Sequence, residues 1–259
     1  MSKEELRDIL ELSHETYNRP DFIADDPVKI PHAFSNREDI EISGFLTALI
    51  AWGRRDIIIR SANDLLDRMD REPYAFVTQA TSSDLDRLTY FVHRTFNGSD
   101  ARGLVLALRA AYQQHGGLEA IFAAGIRPGH SDVLHAIVTA RNLLAASEGF
   151  LPRTEKHLAN PAKGSSAKRI NMFLRWMVRQ DRKGVDFGIW TSISPSQLIC
   201  PLDVHTGNVG RQLGLLTRKQ SDWKAALELT ENLRQFCPED PVKYDFSLFG
   251  LGVSGVMKN

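Results

Sequence analysis

Apolar residues recur along this chain at three- and four-residue intervals, the period of helices that bury one face. Residues 3–17 place Leu6, Ile9, Leu10, Ser13 and Tyr17 on one side of a first helix. Ser35, with Glu38 three residues on, reads as a capping box. It opens a strongly apolar helix to about Trp52, carrying Ile42, Phe45, Leu46, Leu49 and Ile50 and ended by Gly53. This is the expected central helix of the core. A helix over 54–71 presents Ile58, Ala62, Leu65, Leu66 and Met69, and Pro73 stops it. Shorter helices are expected over 74–79, 83–91 and 118–124. The run Asn97-Gly98-Ser99-Asp100 caps a longer helix through Leu104, Leu108 and Ala111 to His115. Ser131 or Asp132 starts another, with Val133, Ile137, Ala140 and Leu144 inward. Beyond Pro152 the spacing predicts helices over 153–159, 167–180, 204–216, 221–236 and 240–250, a short one near 195–200, and a glycine-rich frayed tail at 249–255.

Sustained period-two alternation is missing, so the expected class is all-α, about a dozen helices joined by short turns. Asn18–Ser35 holds Pro20, Pro27 and Pro31 among acidic residues and reads as an extended surface linker. The chain then divides into an N-terminal helix with a Pro-rich segment, 1–35, and one helical domain, 36–259. Gly149 and Pro152 mark a possible seam near 150.

Composition narrows the function classes. Hydrophobic residues make up 42% and charged residues 25%, ordinary values for a globular chain. No apolar run approaches membrane-span length and the first residues are not signal-like. A cytoplasmic protein with no membrane partner is therefore expected. Two cysteines, Cys200 and Cys237, exclude a four-cysteine iron–sulfur cluster or zinc site built by this chain alone. The eight histidines are scattered without a ligand pattern, so neither a metal nor a cofactor is expected. Net charge is zero, yet nine Lys/Arg stand against Glu155 and Asp181 between Arg153 and Lys183. Such a local surplus suits a phosphate backbone or a solvated helix face equally.

The chemistry is expected between Gly164 and Arg211. The turn Asn160–Ser166 leads into a basic amphipathic helix, and Ser165 or Ser166 is placed to cap it. Lys168 and Arg169 fall in its first turn, where the macrodipole disfavours cations. That setting favours the neutral amine a nucleophilic lysine needs. The plainer alternative is that both side chains bend into water. Asp203 follows Pro201-Leu202 at the start of another helix, as an N-cap whose carboxylate accepts backbone N–H bonds. His205 reads as a hydrogen-bonding neighbour.

Two strings carry a family resemblance. The first is Gly164-Ser165-Ser166-Ala167-Lys168; the second is Leu202-Asp203-Val204-His205, followed by Arg211 and Leu213-Gly214-Leu215. Together they resemble the Gly-x-Gly-x-Lys hairpin and Asp-x-His element of the helix-hairpin-helix (HhH-GPD) DNA glycosylase superfamily. Ser166 stands where the second hairpin glycine would be. The 35-residue interval from Lys168 to Asp203 resembles the archaeal 8-oxoguanine glycosylase branch. The strings also resemble those of an uncharacterised bacterial family.

The resemblance implies a multi-helix glycosylase-like fold with two helical subdomains around a cleft. It implies a monomeric base-excision repair enzyme with AP-lyase activity on a base flipped from double-stranded damaged DNA, 8-oxoguanine being one candidate. Lys168 would be the nucleophile and Asp203 its electrostatic partner. Gly164, Ser165, Ser166, Arg169, His205 and Arg211 would contact DNA, and Trp52, Phe187 and Trp190 would be candidates to line the base pocket. The competing expectations are a catalytically inactive DNA-binding module of the same fold, or an unrelated all-α interaction protein.

Overall fold

A computed structural model of the chain describes residues 1–255. It is all-helical apart from one tiny hairpin. In order run α1 (Lys3–Tyr17), α2 (Asp21–Ala24), α3 (Arg37–Ile50), α4 (Arg55–Asp67), α5 (Pro73–Gln79) and α6 (Ser82–Asp86). The hairpin β1 (Val92–His93) and β2 (Phe96–Asn97) follows, then α7 (Gly98–Gln114), α8 (Leu118–Ala123) and α9 (Leu134–Ala145). The chain closes with α10 (Lys168–Val178), α11 (Val204–Gln212), α12 (Trp223–Arg234) and α13 (Asp245–Ser254). Among the described residues no helix is long and apolar enough to cross a membrane.

The chain divides into two compact units. One comprises Met1–Phe22, Pro128–Leu134 and Asn160–Asn259; the other comprises Ile23–Arg127 and His135–Ala159. These are not the divisions at 35 and 150 that the prolines suggest. The reason lies in α1, which packs on α13 and so joins the first residues to the last helix. Gly250 permits the approach, since a Cβ there would stand 2.2 Å from the Tyr17 ring.

The second unit is built on α3, in which every residue from Ile40 to Ile50 is buried. Its apolar run is long enough to be covered on all sides, and α4 and α5 pack against it. Glu41 is buried in the same helix because Arg37 and Tyr112 both reach its carboxylate, at 3.0 and 2.7 Å.

Several expectations are corrected here. Residues 18–35 are not an extended surface linker. Pro27 and Pro31 each open a short 3-10 turn, and Val28 and Ile30 are buried. Proline is pre-set for the first position of such turns, so it starts structure here where it was expected to interrupt it. The cap of α3 is Asn36, not Ser35, and it makes no side-chain cap bond. The hairpin escaped notice because two-residue strands leave no periodic pattern. Residues 152–157 form a 3-10 helix. The expected frayed tail at 249–255 is instead the body of α13, where Gly250 and Leu251 are buried.

Candidate functional site

The first unit brings Lys168 and Asp203 together. Lys168 is the first residue of α10 and Asp203 the N-cap of α11, accepting from the Thr206 N–H at 2.9 Å. Lys168 Nζ lies 3.9 Å from Asp203 Oδ2, with the two side chains 28% and 23% exposed. Both are thus open to a ligand without being bathed in solvent. Lys168 Nζ also lies 3.8 Å from Met172 Sδ, one turn along the same helix. Arg169, half-buried, has its guanidinium pulled down to about 10 by burial.

The turn before α10 differs from expectation. Neither serine caps the helix: the N-cap is Ala167, in the left-handed region at φ 51°. An alanine held there costs about 1 kcal/mol. Ser165 Oγ accepts the Ala167 N–H, and Asn171 donates to the Ser166 carbonyl, which pins the strained residue. Gly164, at φ 90°, accepts from the Trp223 N–H at 3.1 Å, and Ser165 forms an isolated bridge with Asp222. The N–H groups of Gly164, Ser165 and Ala167 all donate within the turn. They are less available to a phosphate than the residue types suggest.

The other candidates fall in different places. His205 is exposed and meets Phe249 edge-on, and Gly252 lets α13 lie against its backbone. Arg211 donates to the Arg218 and Lys219 carbonyls at 3.1 and 3.0 Å, tying down the α11–α12 connection. Trp190 is 2% exposed and edge-packed on Phe173. It is core, not a ring free to stack on a base. Phe187 is half-buried, its N–H donated to the Trp176 carbonyl. Trp52 belongs to the other unit, where it stacks on His157 and meets His93 edge-on.

Sequence reasoning missed what stands behind the Lys–Asp pair. Arg175 and Arg179, expected on a basic face, are 4% and 1% exposed. Arg175 binds Asp186 at 3.1 Å and Asp245 at 2.5 Å. Arg179 binds Asp181, Asp186 and Asp240 at 2.7, 3.0 and 2.9 Å. Both guanidinium groups lie over the Phe246 ring, at 4.3 and 5.5 Å. A hint was present: two arginines four apart, one within α10 and one at its C-cap, must be paired if that face is buried. Burial pushes the Asp245 carboxyl up to about 6, against the pull of Arg175. Burial likewise raises the Cys200 thiol, whose Sγ lies 3.9 Å from Asp245 Oδ1. In this network three cations, Lys168, Arg175 and Arg179, are paired with five carboxylates, Asp181, Asp186, Asp203, Asp240 and Asp245. Among the described residues no group of three or more His, Cys, Asp or Glu side chains is arranged to hold a metal ion.

Comparison with curated proteins and with solved structures finds no match to the chain. The assignment to the helix-hairpin-helix DNA glycosylase superfamily, and to its archaeal branch, is corrected by the family profile that does match. Two short strings carried that resemblance, whereas the profile spans most of the chain and describes a different family. That profile, described as Protein of unknown function (DUF2400), matches residues 26–254, and the chain belongs to this family.

Proposed function

We propose that the chain is a lysine-dependent DNA N-glycosylase and AP lyase, acting as a monomer on a damaged base flipped from double-stranded DNA. The observation that carries this reading is the half-open Lys168–Asp203 pair, 3.9 Å apart. A neutral Lys168 amine attacks C1′ of the sugar. The glycosidic bond breaks, and the base leaves with its electron pair and takes up a proton. Opening of the sugar ring gives a Schiff base, and loss of a C2′ proton then expels the 3′ phosphate. Asp203 stabilises positive charge on the sugar as the base departs. The surplus of carboxylates behind it acts in the same direction. The same surplus repels phosphates, so backbone contacts fall to the exposed Lys163 and the half-buried Arg169.

The test is borohydride trapping on duplexes carrying 8-oxoguanine, other lesions or an abasic site. A covalent adduct is expected with the wild-type protein and is lost in Lys168→Gln. Folded protein that gives no adduct with any of these substrates sinks the reading.

A further inference from the structure

Away from Lys168 and Asp203, the β1–β2 hairpin of the second unit carries an outward side that its own packing does not use. Burial alternates from Tyr90 to Arg94. Phe91 and His93 are 0% and 2% exposed, whereas Tyr90 and Val92 are 85% and 64% exposed and Arg94 is exposed as well. Alternation of this kind sets successive side chains on opposite sides. A phenol ring, an aliphatic side chain and a guanidinium therefore stand together toward solvent. The inward residues anchor the segment. His93 Nδ1 lies 2.9 Å from Ser61 Oγ on α4, and its ring meets Trp52 edge-on at 5.0 Å. Trp52 is in turn stacked on the buried His157 at 5.8 Å, so the hairpin is fixed to the corner between α3 and α4.

Arg94 opens the two-residue loop of the hairpin, since Val92 pairs with Asn97 and His93 with Phe96. Its φ is 54°, in the left-handed region. A tight hairpin turn prefers glycine there, and holding an arginine costs about 1 kcal/mol. The guanidinium folds over Gly53, the residue after Trp52, where a Cβ would stand 3.1 Å from Cζ. Among the described residues Arg94 makes no hydrogen bond or ion pair. Neighbouring arginines are committed: Arg54 binds Asp56 at 2.7 Å and Arg153 reaches Asp100 at 3.4 Å. Strained residues cluster at ligand clamps, and here the strained residue is also the uncommitted cation.

We propose that Tyr90, Val92 and Arg94 form a binding site for single-stranded nucleic acid. Arg94 takes a phosphate, Tyr90 stacks on an unpaired base, and Val92 supplies apolar contact between them. A duplex backbone is held by arrays of cations, whereas this surface offers one free cation with an exposed ring on the same side. Unpaired bases present the π faces that such a ring needs. The site lies in the second unit, which contains neither Lys168 nor Asp203. The inference therefore does not depend on the glycosylase reading.

The test is fluorescence anisotropy with the whole protein, a fluorescein-labelled oligothymidylate, and the same strand annealed to its complement. Tyr90→Ala is expected to weaken single-strand binding at least about fivefold, the loss of one base stacked on a ring, and to leave duplex binding unchanged. Arg94→Gly keeps the turn, because glycine favours its φ. It is expected to make the slope of log K against log salt shallower by about 0.7 on the single strand, the loss of one phosphate contact. Tyr90→Ala leaves that slope unchanged, because a phenol releases no counterions. Both positions are exposed, melts by circular dichroism check each fold, and either folded variant decides. Single-strand affinity and slope that match the wild type overturn the proposal. Equal losses on single strand and duplex overturn it as well. A wild-type protein that binds no oligonucleotide leaves the hairpin to a protein partner and overturns it too. Because equilibrium binding involves no covalent step, its outcome is independent of borohydride trapping.

Discussion

Asp203 does two jobs with one carboxylate, and substitutions can separate them. As N-cap it accepts the Thr206 N–H, and as partner it faces Lys168. Asparagine keeps an oxygen for the cap but loses the charge, and Asn is as good a cap as Asp. On the proposed glycosylase reading, Asp203→Asn is therefore expected to keep the fold and nearly all DNA affinity while losing turnover. Binding that weakens in parallel with turnover contradicts this assignment. The two members of the pair were legible in the sequence because each occupies a marked position, a cation at a helix start and an acid at a cap. Asp245 was not. Its neighbours in sequence are an ordinary helix start, and only the fold brings α13 beside α10. Ala167 was equally hidden, since nothing about an alanine announces a left-handed backbone.

At the level of elements, helix existence was written plainly in the apolar spacing, and helix ends were not. α1, α3, α5 and α7 stand close to where the pattern puts them. The turns that went astray are those where proline starts a 3-10 helix or where a buried arginine looks like a surface one. Arg175 and Arg179 shift the meaning of α10 from a basic face to a core helix with internal pairs. Removing one partner of such a pair leaves a buried charge unmet. Contacts between α1 and α13 depend on the absence of a side chain at Gly250. Gly250→Ala is expected to cost about 2–3 kcal/mol by forcing the helices apart. Urea denaturation checks this, and a loss below about 0.5 kcal/mol shows that the Tyr17 ring simply turns aside.

Across the molecule, the carboxylate surplus predicts how stability follows pH. Burial raises Asp245 from 3.8 to about 6, and burial raises Asp240 as well. For an acid whose folded value is raised, protonation favours the folded state. The fold thus gains as pH falls through about 6, and the gain is complete below the unfolded value of 3.8. Burial also pushes up Asp181 and Glu11, but Arg179 and Asn18 in one case, and Tyr244 and Lys243 in the other, outweigh it and hold both low. Their contribution is lost only at more acid pH. Between pH 8 and pH 5 Asp245 pulls the Tm up, worth about 2–3 kcal/mol at most, while the buried His14, held below 6.5, pulls the other way as pH falls. Asp245→Asn should flatten that rise. A slope unchanged in the variant places the titration elsewhere.

The joining of α1 to α13 also bears on the order in which the protein is made. The unit holding Lys168 and Asp203 is assembled from the first 22 residues, the short piece Pro128–Leu134 and everything after 159. The other unit lies between Ile23 and Ala159, so its whole sequence is synthesised before α10 begins. Within this chain α1 is made before its packing partner α13, which follows more than two hundred residues later. During synthesis the exposed stripe of α1 is a target for chaperones and proteases. The pair Lys168–Asp203 is thus made after the other unit, and α13, which packs on both α1 and α11, follows it.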